Sequence, residues 1–401
     1  MNKKIFISSL LLVFFAALGA GVVLGRSLDF EGYSVPGDYS WFSNIPAKYQ
    51  NLFQEVYSLI KSEYVVPAID DNDLYYGALS GMVDSLEDRY SVFLKPDLAK
   101  IFEEDMQGSF EGVGMEIGIK DKQLTVIAPL SGTPAEKAGI RAGDEIYAID
   151  GEPTIDMPID IAVSLIRGEK GTPVVLTIWR KGWDSPQDIE IIRDTIEIPA
   201  VTWERKQENI GYIRIIHFSQ DTIGEFKKAV QEITSQPLDG LILDLRNNPG
   251  GYLNVAVDIA GWWVEEGKEE VVVISRNNVH QETVYKTKGQ GVFDKTKTVV
   301  LINNGSASGA EILAGALQDW GKAVLVGETT FGKGSVQTFN RLSDGSALKL
   351  TVAYWYTPKK RSIEKVGIAP DKQVDFSPQD YEKGVDLQLE EAIKILKQEQ
   401  K

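Results

Sequence analysis

The chain has no cysteine and only two histidines, His217 and His280. Without cysteine there is no disulfide and no thiolate to hold a metal. One histidine ends a strand pattern and the other lies in a polar stretch, so a histidine-based triad has little to draw on. Positive charge is also scarce. Lys and Arg number 42 against 58 Asp and Glu, and the net charge of −16 repels phosphate backbones, which argues against nucleic acid as a partner. Beyond Arg26 no apolar run is long enough to span a bilayer. What remains is ordinary globular composition, 43% hydrophobic and 25% charged, over 401 residues, which predicts two to three domains.

The N-terminus carries the one long apolar run. Lys3 and Lys4 precede uncharged residues from Ile5 to Gly25, and Arg26 ends them. About 20 apolar residues suffice to cross a membrane, and the lysines favour a cytoplasmic N-terminus. The alternative is a cleaved signal peptide, with small residues Ala17, Gly19 and Ala20 near a cut. Either reading exports the remainder, so the expected location is the extracytoplasmic side of the cell envelope, membrane-anchored or released.

Residues 27–46 read as a linker rich in Gly, Pro, Ser and aromatics. Leu52, Val56, Leu59 and Ile60, then Leu74, Ala78, Met82, Val83 and Leu86, recur at helical spacing, with Asn72 and Asp73 as caps, in a helical region ending near 104. From about 105 to 194 short strands alternate with glycine turns and one short helix, 134–138. From 195 to 376 strands alternate with helices. The run Leu238–Leu245 is apolar enough for a strand buried on both faces, and a last helix lies at 384–397.

Three segments carry chemistry. In Asn303-Asn304-Gly305-Ser306-Ala307-Ser308-Gly309-Ala310-Glu311, Ser308 stands between an apolar strand and a helix. Its hydroxyl lies beside free N–H groups and the positive helix end, which suit a developing oxyanion, with Gly309 N–H as first donor. Ser308-x-x-Glu311 also reads as a plain capping box. In Gly327–Ser335, Gly332 and Gly334 flank Lys333 and aim it inward. This segment nearly matches a phosphate-binding P-loop, but Gly334 replaces the magnesium-binding hydroxyl and a strand pattern follows where a helix must. A lysine base has to fall from an ordinary pKa of about 10.4 to roughly 7–8, a bias of about 3–5 kcal/mol that burial supplies. Gln337, two strand repeats on, is placed to orient the neutral amine. In Asp244-Leu245-Arg246-Asn247-Asn248-Pro249-Gly250-Gly251, Gly250 or Gly251 offers a second oxyanion donor. Asp319 falls about 16 Å along the helix from Ser308 and reads as structural. With cysteine absent and histidine scarce, a hydroxyl activated by a neutral amine is one of the few acyl-transfer solutions left.

Together these segments resemble the carboxyl-terminal processing (tail-specific) proteases, serine–lysine peptidases. Gly112–Gly114 with Gly132-Thr133-Pro134-Ala135, Ala138-Gly139 and Gly143-Asp144-x-Ile146 looks like a PDZ domain. Asp244–Gly251, Ser306–Glu311 and Phe331–Gln337 look like the protease core. The resemblance implies a multidomain fold: an N-terminal helical region, a β-rich PDZ domain inserted before an α/β core of ββα units, and a C-terminal helix. It implies Ser308 as nucleophile, Lys333 as base and Gln337 as base-orienting residue, with no metal or cofactor. The family often reads Ser-Ala-Ser-Ala-Ser-Glu where this chain has Gly309-Ala310 after Ser308. Gly309 would act through its backbone, so activity is expected to survive. The PDZ resemblance implies capture of protein C-termini by strand addition, the carboxylate resting on N–H groups around Gly112, Val113, Gly114 and Met115. It implies a gating role for Arg167, and dimerisation through the helices at 47–104 and 384–397. The rival readings are a catalytically inactive PDZ scaffold and a nucleotide-binding protein.

Overall fold

The computed structural model describes residues 46–398 apart from 67–68, 121–122, 131, 198, 207–208, 268–269, 277–280 and 376–384. The apolar N-terminal run and His280 lie outside the described residues. Among the described residues no helix is long and apolar enough to cross a membrane.

Two helices open the chain, α1 (Ala47–Glu63) and α2 (Asp71–Asp84). Asp70, rather than Asn72 or Asp73, caps α2: its carboxylate accepts from Asn72 N–H at 2.8 Å. No residue of α1 is buried, and its apolar stripe, Leu52, Phe53, Val56 and Leu59, is about half exposed. The helical region then departs from expectation. A short strand, β1 (Val92–Leu94), precedes a third helix, α3 (Pro96–Gln107).

The β-rich unit begins with β2 (Ser109–Gly112), β3 (Met115–Lys120), β4 (Gln123–Pro129) and the short helix α4 (Pro134–Lys137). It continues through β5 (Glu145–Ile149), β6 (Glu152–Pro153), α5 (Ile159–Ile166), β7 (Pro173–Trp179), β8 (Gln187–Ile192) and β9 (Asp194–Glu197). Strands β3-β4-β5-β7-β8 form one sheet with β3 at its edge. Leu124, Ile146, Ile149, Val174, Leu176 and Ile178 fill its core with Ala162 and Ile166 of α5. A separate antiparallel pair, β2 with β9, forms the neck that leads in and out.

The α/β core follows, with β10 (Val201–Arg205), β11 (Ile210–Ile215), α6 (Thr222–Ile233), β12 (Gly240–Asp244), α7 (Leu253–Ala260), β13 (Glu270–Arg276) and β14 (Gln281–Lys286). Then come β15 (Thr298–Ile302), α8 (Gly309–Asp319), β16 (Ala323–Gly327), β17 (Ser335–Arg341), β18 (Ala347–Tyr356), β19 (Lys372–Gln373) and α9 (Leu387–Gln398). One sheet runs β10-β11-β12-β15-β16-β19, parallel from β11 onward. The apolar runs of β12 and β15 are buried on both faces, as strands without polar alternation require. Leu241, Leu243, Val300 and Ile302 pack under α6, α7 and α8. Ile242, Val299 and Leu301 face the other way, onto Leu389, Ala392, Ile393 and Leu396 of α9. The apolar stripe of the C-terminal helix is therefore used within the chain rather than left for a second copy.

A second sheet, β1-β18-β13-β14 with β17 on β18, packs alongside. Its edge strand β1 comes from the N-terminal region, pairing Val92 with Lys349 and Leu94 with Ala347. Part of the segment expected to be a dimerisation arm is thus built into the core.

Candidate active site

Three loops leave the carboxyl ends of adjacent parallel strands: 245–252 after β12, 303–308 after β15 and 328–334 after β16. In an open parallel sheet this edge is where side chains from distant stretches of sequence converge. Hydrogen bonds stitch the loops together. Ala307 N–H donates to Asn248 O at 2.9 Å, Ser306 Oγ to Leu245 O at 2.8 Å, and Phe331 N–H to Ser306 O at 3.0 Å.

Ser308 is fully buried at the start of α8, with φ 51° and ψ −112°. An ordinary N-cap has extended backbone, so this residue is more than a helix cap, and such outliers cost of order 1–3 kcal/mol. Among the described residues its Oγ has no hydrogen-bond partner. Of the expected capping box the glutamate half is made: Ser308 N–H donates to Glu311 Oε2 at 2.8 Å.

Glu311 does far more than cap. It is completely buried, and its Oε2 also accepts Lys333 N–H at 3.0 Å. Its Oε1 accepts Gly332 N–H at 2.7 Å and Thr330 Oγ1 at 2.6 Å. One carboxylate oxygen therefore holds the backbones of Ser308 and Lys333 side by side. Burial pushes the Glu311 pKa up, and these donors oppose that shift. Because they all donate, the ionised, acceptor-only form is the one that fits.

Lys333 is fully buried, and its Nζ lies 5.2 Å from the centre of the Tyr90 ring. Its pKa falls well below the usual lysine range, first through burial and next through the charge of Lys349, while Glu311, Glu364 and Asp88 pull the other way. Lys349 is itself buried, its pKa pushed down to about 8 by the same desolvation. The flanking glycines act through close approach. A Cβ at Gly334 would lie 2.9 Å from Glu364 N, and one at Gly332 would lie 2.9 Å from Gly367 N. Trp355 Nε1–H donates to Lys333 O at 2.9 Å and fixes the turn from inside. The next residues form strand β17, as expected against a P-loop.

Gln337 is buried on β17, and its Nε2 donates to Ser335 Oγ at 2.9 Å and Thr351 Oγ1 at 3.1 Å. Among the described residues its Oε1 has no hydrogen-bond partner. The amide is thus anchored through its nitrogen. Lys333 itself precedes the strand, so regular strand alternation does not place it relative to Gln337.

The two candidate second donors separate. Gly250 N–H donates to Asn248 Oδ1 at 2.8 Å, so that amide is engaged within the chain. Gly250 also matters sterically: a Cβ there would lie 2.7 Å from Ser308 Cβ and 2.8 Å from Gly309 N. Gly251 is bracketed by Phe218 N–H to Gly250 O and Tyr252 N–H to Phe218 O, both 2.8 Å. Its nitrogen lies 3.5 Å from the position a Gly309 Cβ would take, so the Gly309 and Gly251 amides are neighbours beside Ser308.

With this geometry in place, comparison with known proteins is informative. Residues 209–374 match the model of peptidase family S41, residues 125–180 a PDZ domain, and residues 43–97 the activating protease CtpB N-terminal domain. The chain is 39% identical over 372 residues to the carboxy-terminal processing protease CtpA of Bacillus subtilis (strain 168), spanning 93% of this chain and 78% of that protein. The chain belongs to the carboxy-terminal processing proteases of peptidase family S41. It is 38% identical over 381 residues to the carboxy-terminal-processing protease of Bartonella bacilliformis (strain ATCC 35685 / KC583 / Herrer 020/F12,63), covering 93% of this chain and 85% of the relative. Among solved structures, a photosystem II D1 C-terminal processing protease superposes with a TM-score of 0.53 at 30% identity, covering 91% of this chain and 92% of that one.

In the PDZ domain of this S41 peptidase, β3 is an edge strand, so its outer backbone groups lack a partner strand in the sheet. The preceding loop is rigid. Val113 O accepts Ala135 N–H at 2.8 Å, Gly114 O accepts Leu130 N–H at 2.9 Å and Thr133 Oγ1 at 2.8 Å, and Met115 pairs with Pro129. Arg167 follows α5, and its Cγ lies 3.6 Å from where a Gly112 Cβ would be. Its Nη2 donates to Asp105 Oδ1 of α3 at 2.7 Å, and its guanidinium covers the Phe110 ring at 4.3 Å. Arg167 Nη1 is buried with no hydrogen-bond partner among the described residues. The arginine therefore spans the border between the PDZ domain and α3, beside the loop expected to hold a carboxylate.

Sequence reasoning missed the organising part of Glu311, the Asn248 contact that occupies Gly250, and the whole 88–91 turn. For Glu311 the signal was present as a capping box. For the turn, Asp88-Arg89-Tyr90-Ser91 reads only as a polar break after a helix.

Proposed function

We propose that this S41 peptidase cleaves exported proteins near their C-termini, with Ser308 as nucleophile and Lys333 as base. The observation that carries this reading is the shared carboxylate oxygen. It seats Ser308 and Lys333 together, while burial lowers the lysine pKa well below its usual range. Ser308 Oγ attacks the scissile carbonyl, and Lys333 Nζ takes the hydroxyl proton and returns it to the leaving amine. Gln337 Oε1 orients the amine without the negative charge that would hold a proton on it. The Gly309 and Gly251 amides receive the developing oxyanion.

Substrate tails add to β3 of the PDZ domain, with their carboxylate at the Gly112–Met115 loop and Arg167 as the residue that reports occupancy. The N-terminal apolar run anchors or exports the chain, placing the enzyme on the extracytoplasmic side of the envelope. The half-exposed stripe of α1 supports a homodimer through the N-terminal helices.

Purified enzyme and its Ser308→Ala and Lys333→Ala variants, assayed on a peptide with a free apolar C-terminus, test the mechanism. Each variant should lose at least about a thousandfold in kcat while its circular dichroism spectrum shows that it is folded. Unaltered cleavage by either variant overturns the assignment of that residue.

A further inference from the structure

Residues 88–91 belong by position to the N-terminal helical region, between α2 and β1, yet Tyr90 among them lies against the Lys333 amine. Tyr90 is 8% exposed, and its ring is the surface that Lys333 Nζ faces at 5.2 Å. On the same ring the Arg89 guanidinium sits at 4.6 Å, and it also lies 5.6 Å from the Phe331 ring. Arg89 Nη2 donates to Tyr90 Oη. The turn is locked from below. Ser91 Oγ donates to Asp88 Oδ2 at 2.6 Å, Tyr90 N–H donates to Asp88 Oδ1 at 3.1 Å, and Ser91 Oγ accepts Thr351 N–H at 3.0 Å. Thr351 is the residue whose hydroxyl accepts Gln337 Nε2. One turn from a distant segment thus touches the site twice, through the ring over the amine and through the strand that holds Gln337.

We propose that Tyr90 is a positioning residue for the catalytic base: its ring walls the Lys333 amine off from water, so that the N-terminal region completes the active site. This rests on Lys333 being the base. The ring has two opposed effects. Its face attracts a cation, which favours the ammonium by about tenfold or somewhat more in the ionisation constant. Its bulk excludes water, and full burial favours the neutral amine by about a thousandfold or more. Exclusion wins. The charged and titratable groups around Lys333 are Glu311 on α8, Glu364 in the loop after β18, Lys349 on β18, and Asp88 and Arg89 in the turn itself.

The test is the pH profile of kcat/KM from pH 6 to 10 for the full chain on fluorescein-labelled casein. Tyr90→Ala should lower the value at pH 7 by about ten- to a hundredfold and move the acid limb up by about a pH unit or more, regaining most of the rate near pH 9. KM should change less than about twofold, because the ring touches the base and not the substrate. Tyr90→Phe keeps the wall and should stay within about threefold with its limb in place. Should Tyr90→Ala not fold, Tyr90→Gln fills the same space with a polar group and should shift the limb in the same direction. An acid limb that stays put in the Ala or Gln variant, or one that moves as far in Tyr90→Phe, overturns the proposal. Lys333→Ala separates the two readings. If it stays active, the base assignment itself fails. If it is inactive while the Tyr90 variants leave the limb unmoved, only the role of Tyr90 falls.

Discussion

In the PDZ domain one carboxylate, Asp144, is buried with its side chain 1% exposed; in the peptidase core Glu311 is completely buried, more so than Asp244 or Asp319. Asp144 accepts Arg141 N–H at 2.8 Å and Arg180 Nε–H and Nη2–H at 2.6 and 2.7 Å. It closes a turn and neutralises a neighbouring guanidinium. Glu311 takes three backbone N–H groups and a hydroxyl, and the residues it holds include Ser308, whose Oγ is unpartnered. Both carboxylates satisfy the rule that buried charge must be hydrogen-bonded. They differ in what they support: a loop in one case, and in the other a strained serine beside a buried lysine. A buried charge reads as functional when the groups it organises remain unsatisfied, not from its burial alone.

That contrast can be broken by deleting each carboxylate. Glu311→Ala leaves several buried N–H groups without acceptors and should cost about 3–5 kcal/mol in urea unfolding, with peptidase activity lost. Asp144→Ala removes a pair whose arginine reaches solvent and should cost about 1–3 kcal/mol, with kcat on a short peptide retained. Equal losses of activity in the two would remove the distinction.

The lysine supplies a second, smaller test. Because the Lys333 pKa is lowered in the fold, the unfolded chain binds the extra proton at neutral pH, and stability rises with pH until the ordinary lysine pKa is reached. Lys333→Met should therefore raise the melting temperature at pH 7 by about 5 °C or more, with the gap narrowing toward about pH 10. Calorimetry at both pH values checks the sign, and a gap that widens with pH would mean that the amine is charged in the folded protein. The smallest effect is expected at the PDZ border. Arg167→Ala should weaken cleavage of a peptide with a free C-terminus by about five- to tenfold, and leave its C-terminally amidated counterpart within about twofold. Equal effects on both peptides would place Arg167 outside carboxylate sensing.

Much of the architecture was legible along the chain. Leu238–Leu245 and Val299–Ile302 are too uniformly apolar for anything but strands covered on both faces, and the structure covers them with α6 to α8 above and α9 below. Ser308, Lys333 and Gln337 stood out because glycines and a strand–helix junction marked them. What escaped was long-range. Asn340 and Leu348 pair across β17 and β18, but nothing local announces that β1, over 250 residues earlier in the chain, lies on the other edge of β18. Gly250 and Gly251 look equivalent in sequence, and only the reach of the Asn248 side chain decides which N–H is engaged. The stripe of α9 suggested a partner surface because periodicity reports an apolar face and not what covers it.

By itself the sequence determined the class of chemistry and the order of the domains, since composition removed thiols and most imidazoles and local patterns are set by neighbours a few residues apart. Tertiary structure alone decided the lowered pKa of Lys333, the strained backbone of Ser308, and the use of Glu311 and the 88–91 turn as their supports. Those depend on desolvation and on hydrogen bonds between segments far apart in the chain, and neither quantity exists until the loops at the strand ends have met.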